Sequence, residues 1–196
     1  MNIDQKIKFA SKTLQNGGLV VFPTETVFGL GADALNERSV ERIYKVKNRP
    51  KDHPLIIHVC SIEMVKKIVT DWNESIEKFV QYFWPGPLTV VLKKNSFLPN
   101  FVTAGLDTVA VRIPSNSIAL KLLHDFNKIG SGLVAAPSAN LFGEVSNTRF
   151  VDVKSALKHK MTEEDFFLEG GNCDVGVEST IVDFSSENVS ILRPGG

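Results

Sequence analysis

The chain has 196 residues, 43% of them hydrophobic and 22% charged, which is the range of globular proteins and favours one domain over two. The 22 basic residues balance the 22 acidic ones, so the net charge is zero. The molecule as a whole therefore has no field that would attract nucleic acid or a membrane, and any attraction for anions has to be local.

Two cysteines, Cys60 and Cys173, are far apart in the sequence and belong to no CxxC or Cys/His cluster. This argues against a zinc site and a disulfide scaffold and favours a reducing compartment. The N-terminal segment has apolar residues at helical spacing with lysines between them, and it lacks the apolar core of a signal peptide. No apolar run approaches membrane-spanning length, so we expect a cytoplasmic protein without membrane contact.

Helical and strand-like segments alternate along the first half of the chain. The sequence predicts a helix that ends at Gly17-Gly18, a strand at 19–22, a helix that Pro50 stops and a strand at 54–59. One or two helices are expected over 61–83, and WPGP ends them because proline cannot continue a helix. Their predicted inward positions are Met64, Ile68, Ile76, Phe79 and Phe83.

The second half predicts further strands at 88–93, 108–113 and 133–136, with a helix at 117–126. Residues after 179 are expected to form a late hairpin, with strands at 180–184 and 189–192. This mixture indicates an α/β (α+β) fold, a single domain over residues 1–196 with a mixed sheet and flanking helices. The chain ends at RPGG, which leaves open whether a C-terminal tail or extension is missing.

The common nucleotide-binding and hydrolase motifs are absent from the sequence. No stretch supplies a Walker A loop, HExxH or GxSxG. Gly130-Ser-Gly132 imitates a dinucleotide fingerprint, but it follows a predicted helix and precedes a strand, the reverse of the required order. The histidines are scattered, so no protein-held metal is predicted.

Positive charge is concentrated in one stretch of this otherwise neutral chain. A solvated helix face would explain it. Alternatively, Lys47 and Arg49 could offer an ammonium and a planar guanidinium to one polyphosphate at the end of the helix. The bases of this stretch are Arg42, Lys45, Lys47, Arg49 and Lys51.

Three polar groups adjoin predicted strands. Thr24-Glu25-Thr26 follows the first strand directly after Pro23, and stiff threonine stems suit a fixed contact better than a flexible turn. Ser138 and Asn140 lie between small residues after a later strand, where they could bind a ligand or cap a helix. Glu178-Ser179-Thr180 begins the predicted hairpin.

Seven segments of the chain, in this order, resemble the YrdC-like family of threonylcarbamoyl-adenylate synthases, from about residue 7 to the end. Asn48 and Phe28 stand where relatives often carry Gly and Tyr. The basic signature of the family, Lys-x-Arg with a later Ser-x-Asn, falls on Lys47, Arg49, Ser138 and Asn140. The segments are FPTETVFGLGADA, KNRP followed by HPLIIHV, FWPGPLT, VAVRIP, APSANLFGEVS, VGVESTIVD and ILRPGG.

The resemblance implies an enzyme that combines L-threonine, bicarbonate and ATP into threonylcarbamoyl-AMP and pyrophosphate, for modification of an adenosine beside the anticodon of certain tRNAs. An N-carboxylate of threonine would attack the α-phosphate, so two anions must meet among local cations in a closed cavity. Mg²⁺ is expected to accompany the triphosphate. The product is expected to pass to a tRNA threonylcarbamoyl transferase complex, with weak or no direct RNA binding.

The resemblance also implies site residues. Lys47 and Arg49 are the implied catalytic residues, acting through position and charge and not as covalent nucleophiles. Arg112 would bind the threonine carboxylate through its guanidinium. The implied threonine site is Thr26, His58, Arg112 and Ser179. The implied ATP site is Lys47, Arg49, His53, Thr108, Ser138, Asn140, Thr148 and Arg193.

Several of these residues have a structural alternative. Arg112 could be a surface arginine at a strand end, and His58 could be a core histidine. Glu25 could accept a proton from the amine or pair with a nearby base. If Lys47 and Arg49 lie at an exposed helix end, their replacement should lower turnover more than stability, whereas unfolding of the variants would support a structural role. Trp84 is expected to pack beneath the site.

Two other functions compete with the synthase. An RNA-binding module of the same fold, without turnover, would use the basic stretch, but the neutral charge and the few exposed aromatic residues expected argue against it. The second competing function is carbamoyl transfer, as in the related hydrogenase-maturation proteins. Those proteins carry additional domains with zinc-binding cysteines, which this chain does not contain.

Overall fold

A mixed sheet of nine strands forms the centre of the computed structural model, which describes residues 1–196. The order across the sheet is β7-β1-β2-β6-β3-β5-β4-β8-β9, with parallel pairing only at β1–β7, β3–β5 and β4–β8. The predicted single-domain α/β fold is therefore confirmed. The strands are β1 (Val20–Phe22), β2 (Gly29–Asp33), β3 (Ile56–His58), β4 (Leu88–Lys93), β5 (Thr108–Arg112), β6 (Val134–Ala135), β7 (Phe166–Phe167), β8 (Thr180–Asp183) and β9 (Ser190–Arg193).

Six helices flank the sheet, and α1 packs against α5. Four of them begin at an asparagine whose side-chain oxygen accepts a backbone N–H of the first turn, which satisfies amides that have no partner within the helix. None of the helices is long and apolar enough to cross a bilayer. The helices are α1 (Ile3–Gln15), α2 (Glu37–Lys47), α3 (Ile62–Ile68), α4 (Glu74–Gln81), α5 (Ser117–Ile129) and α6 (Phe150–Leu157).

The structure corrects several boundaries that the sequence predicts. The segment 61–83 forms two helices, and Phe83 is wrong as an inward position because its surface is 47% exposed. The helix expected at 117–126 continues to Ile129. The predicted late hairpin is confirmed as β8 and β9, which pair antiparallel with a bulge. The strands β2 and β7 and the helix α6 were not predicted.

A buried carboxylate fastens α2 to the sheet. The side chain of Asp165 is inaccessible to solvent and accepts from the backbone N–H of Leu19 (2.8 Å) and from Nη2 of Arg42 (2.5 Å). It also accepts from the backbone N–H and the hydroxyl of Thr162. A buried charge is tolerated only where such partners surround it. Arg42, one base of the basic stretch, is thus occupied by a structural contact.

We expect Asp165→Ala to lower the free energy of unfolding by about 3–5 kcal/mol, because it leaves Arg42 without its buried partner and an amide without its acceptor. Chemical denaturation measures this change. Glu164→Ala is the matched control, since Glu164 contacts the same arginine from a side chain that is 64% exposed, and it should cost less than about 1 kcal/mol. Equal losses of stability in the two variants would contradict the structural role of Asp165 as the buried partner of Arg42.

Candidate functional site

Five residues lie in one row across five neighbouring strands. The strand register pairs His58 with Arg112, Arg112 with Thr89, Thr89 with Ile181, and Ile181 with Arg193. Residues directly opposite each other in a sheet project to the same face. The register therefore collects side chains from distant parts of the sequence on one surface.

A cavity of about 310 Å³ lies over this face of the sheet. Its floor continues from the row to positions two residues away on the same strands, such as Ile56, Val91 and Ala110. Its walls come from the segment after β1, the segment after β6, the region after α2 and the residues before β8. Seven predicted site residues line it: Thr26, Arg49, His58, Arg112, Ser138, Ser179 and Arg193.

The Thr24-Glu25-Thr26 turn is a fixed wall of this cavity. The hydroxyl of Thr24 donates to the carbonyl of Val27 at 2.6 Å and accepts the backbone N–H groups of Thr26 and Val27. It also lies 2.9 Å from the hydroxyl of Thr26. The turn is buried and internally hydrogen-bonded, which is the arrangement expected from its stiff threonines and not that of a solvent loop.

Arg112 forms a buried ion pair with Glu25. Nη2 of Arg112 donates to Glu25 at 2.6 Å, and Nε donates to the carbonyl of Gly86 at 3.2 Å. The other carboxylate oxygen of Glu25 accepts the backbone N–H groups of Ser115 and Asn116. Arg112 is therefore not a surface arginine, since only 4% of the residue is exposed. Of the two alternatives for Glu25, the structure shows the pairing with a nearby base. The protein therefore binds Nε and Nη2 of Arg112, whereas Nη1 makes no hydrogen bond to the protein. Arg112 is also one of the residues that line the cavity.

His58 is both a core residue and a lining residue. Only 4% of its surface is exposed, and its Nδ1 is buried without a hydrogen-bond partner in the protein. Burial, together with the neighbouring charge of Arg112, lowers the pKa of His58 to about 3. The imidazole is therefore neutral at physiological pH.

Ser179 and Arg193 form the opposite side of the cavity. Arg193 donates to the carbonyl of Ser179 from Nε (3.1 Å) and Nη2 (2.8 Å), and Nη2 also donates to the hydroxyl of Ser179 at 3.2 Å. The segment WPGP lies under Arg112, since Gly86 accepts its Nε. Trp84 is buried and donates from Nε1 to the carbonyl of Leu88.

Lys47 does not lie at an exposed helix end. The residue is 2% exposed, and Nζ donates to the carbonyls of Ser138 (2.5 Å) and Asn140. Burial lowers the pKa of Lys47 to about 8. The next residue, Asn48, adopts the left-handed conformation (φ 52°) that ends α2, which glycine and asparagine tolerate best. Lys47 therefore holds the segment after β6 against the end of α2.

Arg49 lies at the mouth of the cavity. It is half-buried and donates from Nη2 to the carbonyl of Pro54 at 3.1 Å, with its guanidinium 5.9 Å from the ring centre of Phe142. His53 packs against the same ring from outside the cavity. The basic stretch is therefore not one cationic surface, because Arg42 and Lys51 are bound to carboxylates and Lys47 is buried.

The remaining predicted residues lie around the cavity without lining it. Asn140 is buried and donates to the carbonyls of Leu141 and Glu144, and no helix begins there, so the helix-cap alternative is wrong. The backbone carbonyl of Thr148 accepts the backbone N–H of Cys173. Thr108 shares the face of Ala110 but lies about 7 Å further along β5, in a separate polar hollow.

Glu178 is a lining residue that the sequence does not assign. Its carboxylate accepts from the hydroxyl of Ser146 at 2.5 Å, and it raises the pKa of Lys47 against the larger opposite effect of burial. Its position beside Ser179 in the VGVESTIVD segment was the one sequence signal that could have found it.

We expect Lys47→Met to lower the free energy of unfolding by about 2–4 kcal/mol, because it leaves two inner carbonyls without a donor. Arg49→Met should cost less than about 1 kcal/mol, since Arg49 is half-exposed and its acceptors reach water. Urea denaturation of both variants measures the difference. A loss as small for Lys47→Met as for Arg49→Met would show that Lys47 does not hold the segment.

The buried histidine predicts a pH dependence of stability. Between pH 3 and 6.5 the unfolded chain binds a proton at position 58 that the folded protein does not, so stability falls as the pH falls through this range. We expect His58→Gln to reduce this slope by about 1.4 kcal/mol per pH unit. Denaturation between pH 4 and 7.5 measures it, with His159→Gln, at an exposed turn, as the control. An unchanged slope in His58→Gln would refute the burial of a neutral imidazole.

Comparison with known proteins places this chain in a family. The model of the Sua5/YciO/YrdC domain, described as telomere recombination, matches residues 12–195. The threonylcarbamoyl-AMP synthase of Pyrococcus abyssi is 44% identical over 191 residues, which are 97% of this chain and 54% of that protein. The threonylcarbamoyl-AMP synthase of Bacillus subtilis is 40% identical over 196 residues, 98% of this chain and 54% of that protein.

Solved structures agree with this relationship. The structure of P. abyssi Sua5 complexed with L-threonine has a TM-score of 0.92 at 44% identity and covers 98% of this chain and 55% of its own. Escherichia coli YciO, at 20% identity, shares the fold with a TM-score of 0.85 over 97% of this chain and 89% of its own. The chain spans about half the length of the curated synthases it matches. With a family model matched along nearly its whole length, the chain belongs to the Sua5/YciO/YrdC family.

Proposed function

We propose that the protein synthesises L-threonylcarbamoyl-AMP from L-threonine, bicarbonate and ATP with release of pyrophosphate, for threonylcarbamoyladenosine modification of tRNA. The observation that carries the proposal is that Arg49, Arg112 and Arg193 line one cavity in a chain whose net charge is zero. Such a cavity suits a reaction in which anions must be brought together. The names of the relatives above support the same activity.

Threonine would bind over the row of paired residues. The free N–H groups of Arg112 suit its carboxylate, since Glu25 and Gly86 already fix the orientation of the guanidinium. The neutral imidazole of His58 lines the cavity and would not repel the ammonium group of threonine. Thr26 and Ser179 would complete this pocket with hydroxyl groups. L-threonine in the P. abyssi Sua5 structure supports this part of the proposal.

ATP would occupy the end of the cavity between Arg49, Ser138 and Arg193. Arg49 and Arg193 would contact the phosphates. Lys47 and Asn140 would act chiefly by holding the segment that carries Ser138, although one Nζ proton of Lys47 remains available. His53, Thr108 and Thr148 lie outside the lining and would contact ATP only at its periphery.

The chemistry would proceed by position and charge. A carbamate oxygen on threonine attacks the α-phosphorus, the bond to the bridging oxygen of the β-phosphate breaks, and pyrophosphate leaves. The guanidinium groups would stabilise the charge that develops on the phosphate oxygens. A covalent route through Cys173 is disfavoured, since burial raises the pKa of its thiol to about 11.

Magnesium would arrive with the triphosphate. Groups of three or more His, Cys, Asp or Glu side chains that could hold a metal ion do not occur in the structure. A site made by protein ligands alone therefore does not fit, and phosphate oxygens would supply the ligands that Mg²⁺ prefers. The product would pass to a tRNA threonylcarbamoyl transferase complex.

Pyrophosphate release from ATP tests the proposal. We expect release to require both L-threonine and bicarbonate, and Arg49→Met to lower kcat/KM for ATP by at least about tenfold. Arg38→Met is the matched control, because the Arg38 side chain is 80% exposed on α2, away from the cavity. Turnover that needs carbamoyl phosphate would support carbamoyl transfer instead. No turnover together with salt-sensitive tRNA binding would support an RNA-binding module.

A further inference from the structure

Thr89 is the member of the paired row that does not line the cavity. It lies in β4 between Arg112 on one side and Ile181 on the other, and it is completely buried. Its hydroxyl oxygen is 2.7 Å from the hydroxyl oxygen of Ser179. A fully buried hydroxyl needs a hydrogen-bond partner, so the contacts of Thr89 decide what its hydroxyl does.

The surroundings decide the direction of this hydrogen bond. The hydroxyl of Thr89 has no other partner, so its proton can be satisfied only by Ser179. If Ser179 donated instead, the proton of Thr89 would be buried without an acceptor. Thr89 is therefore the donor and Ser179 the acceptor.

This direction leaves Ser179 with a free proton. Its oxygen accepts from Thr89 and also from Nη2 of Arg193, so both of its lone pairs are used. No acceptor in the protein takes the remaining O–H. Ser179 is only 1% exposed but lines the cavity, so a ligand that fills the cavity is the partner left for that proton.

We propose that Thr89 is a positioning residue, whose hydrogen bond makes Ser179 a donor toward an anionic oxygen of the substrate. This inference rests on the proposed function, in which the anionic oxygen belongs to the carboxylate or the carbamate of threonine. Ser179 then acts with Arg112 and Arg193 as a third donor that lines the same cavity. A ligand group that only donates hydrogen bonds would be rejected at this position.

A neutron structure of the deuterium-exchanged protein tests the direction without any assumption about the reaction. Deuterium on the Thr89 oxygen, pointing to Ser179, is the expected result. Deuterium of Ser179 pointing to Thr89 would overturn the proposal. This outcome is separate from the proposed function, which fails if the wild-type protein shows no threonine-dependent release of pyrophosphate.

Variants test the consequence for the ligand. We expect Thr89→Val to weaken calorimetric binding of L-threonine by about tenfold and to raise its KM more than it lowers kcat, while Thr89→Ser, which keeps the hydroxyl, recovers most of the loss. In a Ser179→Ala background, Thr89→Val should add little further loss. Thr103→Val removes a comparably buried hydroxyl outside the cavity lining and controls for stability. Additive losses, or no recovery in Thr89→Ser, would overturn the proposal.

Discussion

The strand register is the constraint on which the site depends. A shift of one residue between β4 and β5 would turn Arg112 to the other face of the sheet and dismantle the cavity floor. Apolar residues alternate with the row along these strands, so hydrophobic burial on the opposite face fixes the same register. The core and the candidate site are therefore specified by one pattern of pairing.

Three charged side chains of this protein are buried and hydrogen-bonded. Arg112, Lys47 and Asp165 are all nearly inaccessible, and each is held by an opposite charge or by backbone groups. Only one of the three, Arg112, faces the cavity. A chain of zero net charge thereby places three arginines, Arg49, Arg112 and Arg193, around one cavity, which favours selective binding over general attraction for polyanions.

The sequence predicted most long elements and the mixed sheet, because periodicity and end signals are local. It missed β2, whose residues Gly29 and Gly31 have low strand propensity, and it missed the two-residue strand β7. The end of α2 was predicted, but the burial of Lys47 was not, because the carbonyls that hold it are 91 and 93 residues away. The partnership of Glu25 with Arg112 likewise has no local signal, since only the fold joins them. Family resemblance identified seven of the 20 residues that line the cavity, whereas Thr89 emerged only from the pairing of strands.

The strands at the two ends of the cavity floor differ in how many neighbouring strands they are hydrogen-bonded to. The central strands β5 and β4 have neighbours on both sides, whereas β9, which carries Arg193, is the last strand and is bonded on one side only. Detaching an edge strand breaks fewer backbone hydrogen bonds than detaching a central one, so β9 requires less free energy to open locally. Its residues are also mostly exposed. The Arg112 end of the cavity floor is therefore held more rigidly than the Arg193 end, which opens at a lower cost in free energy.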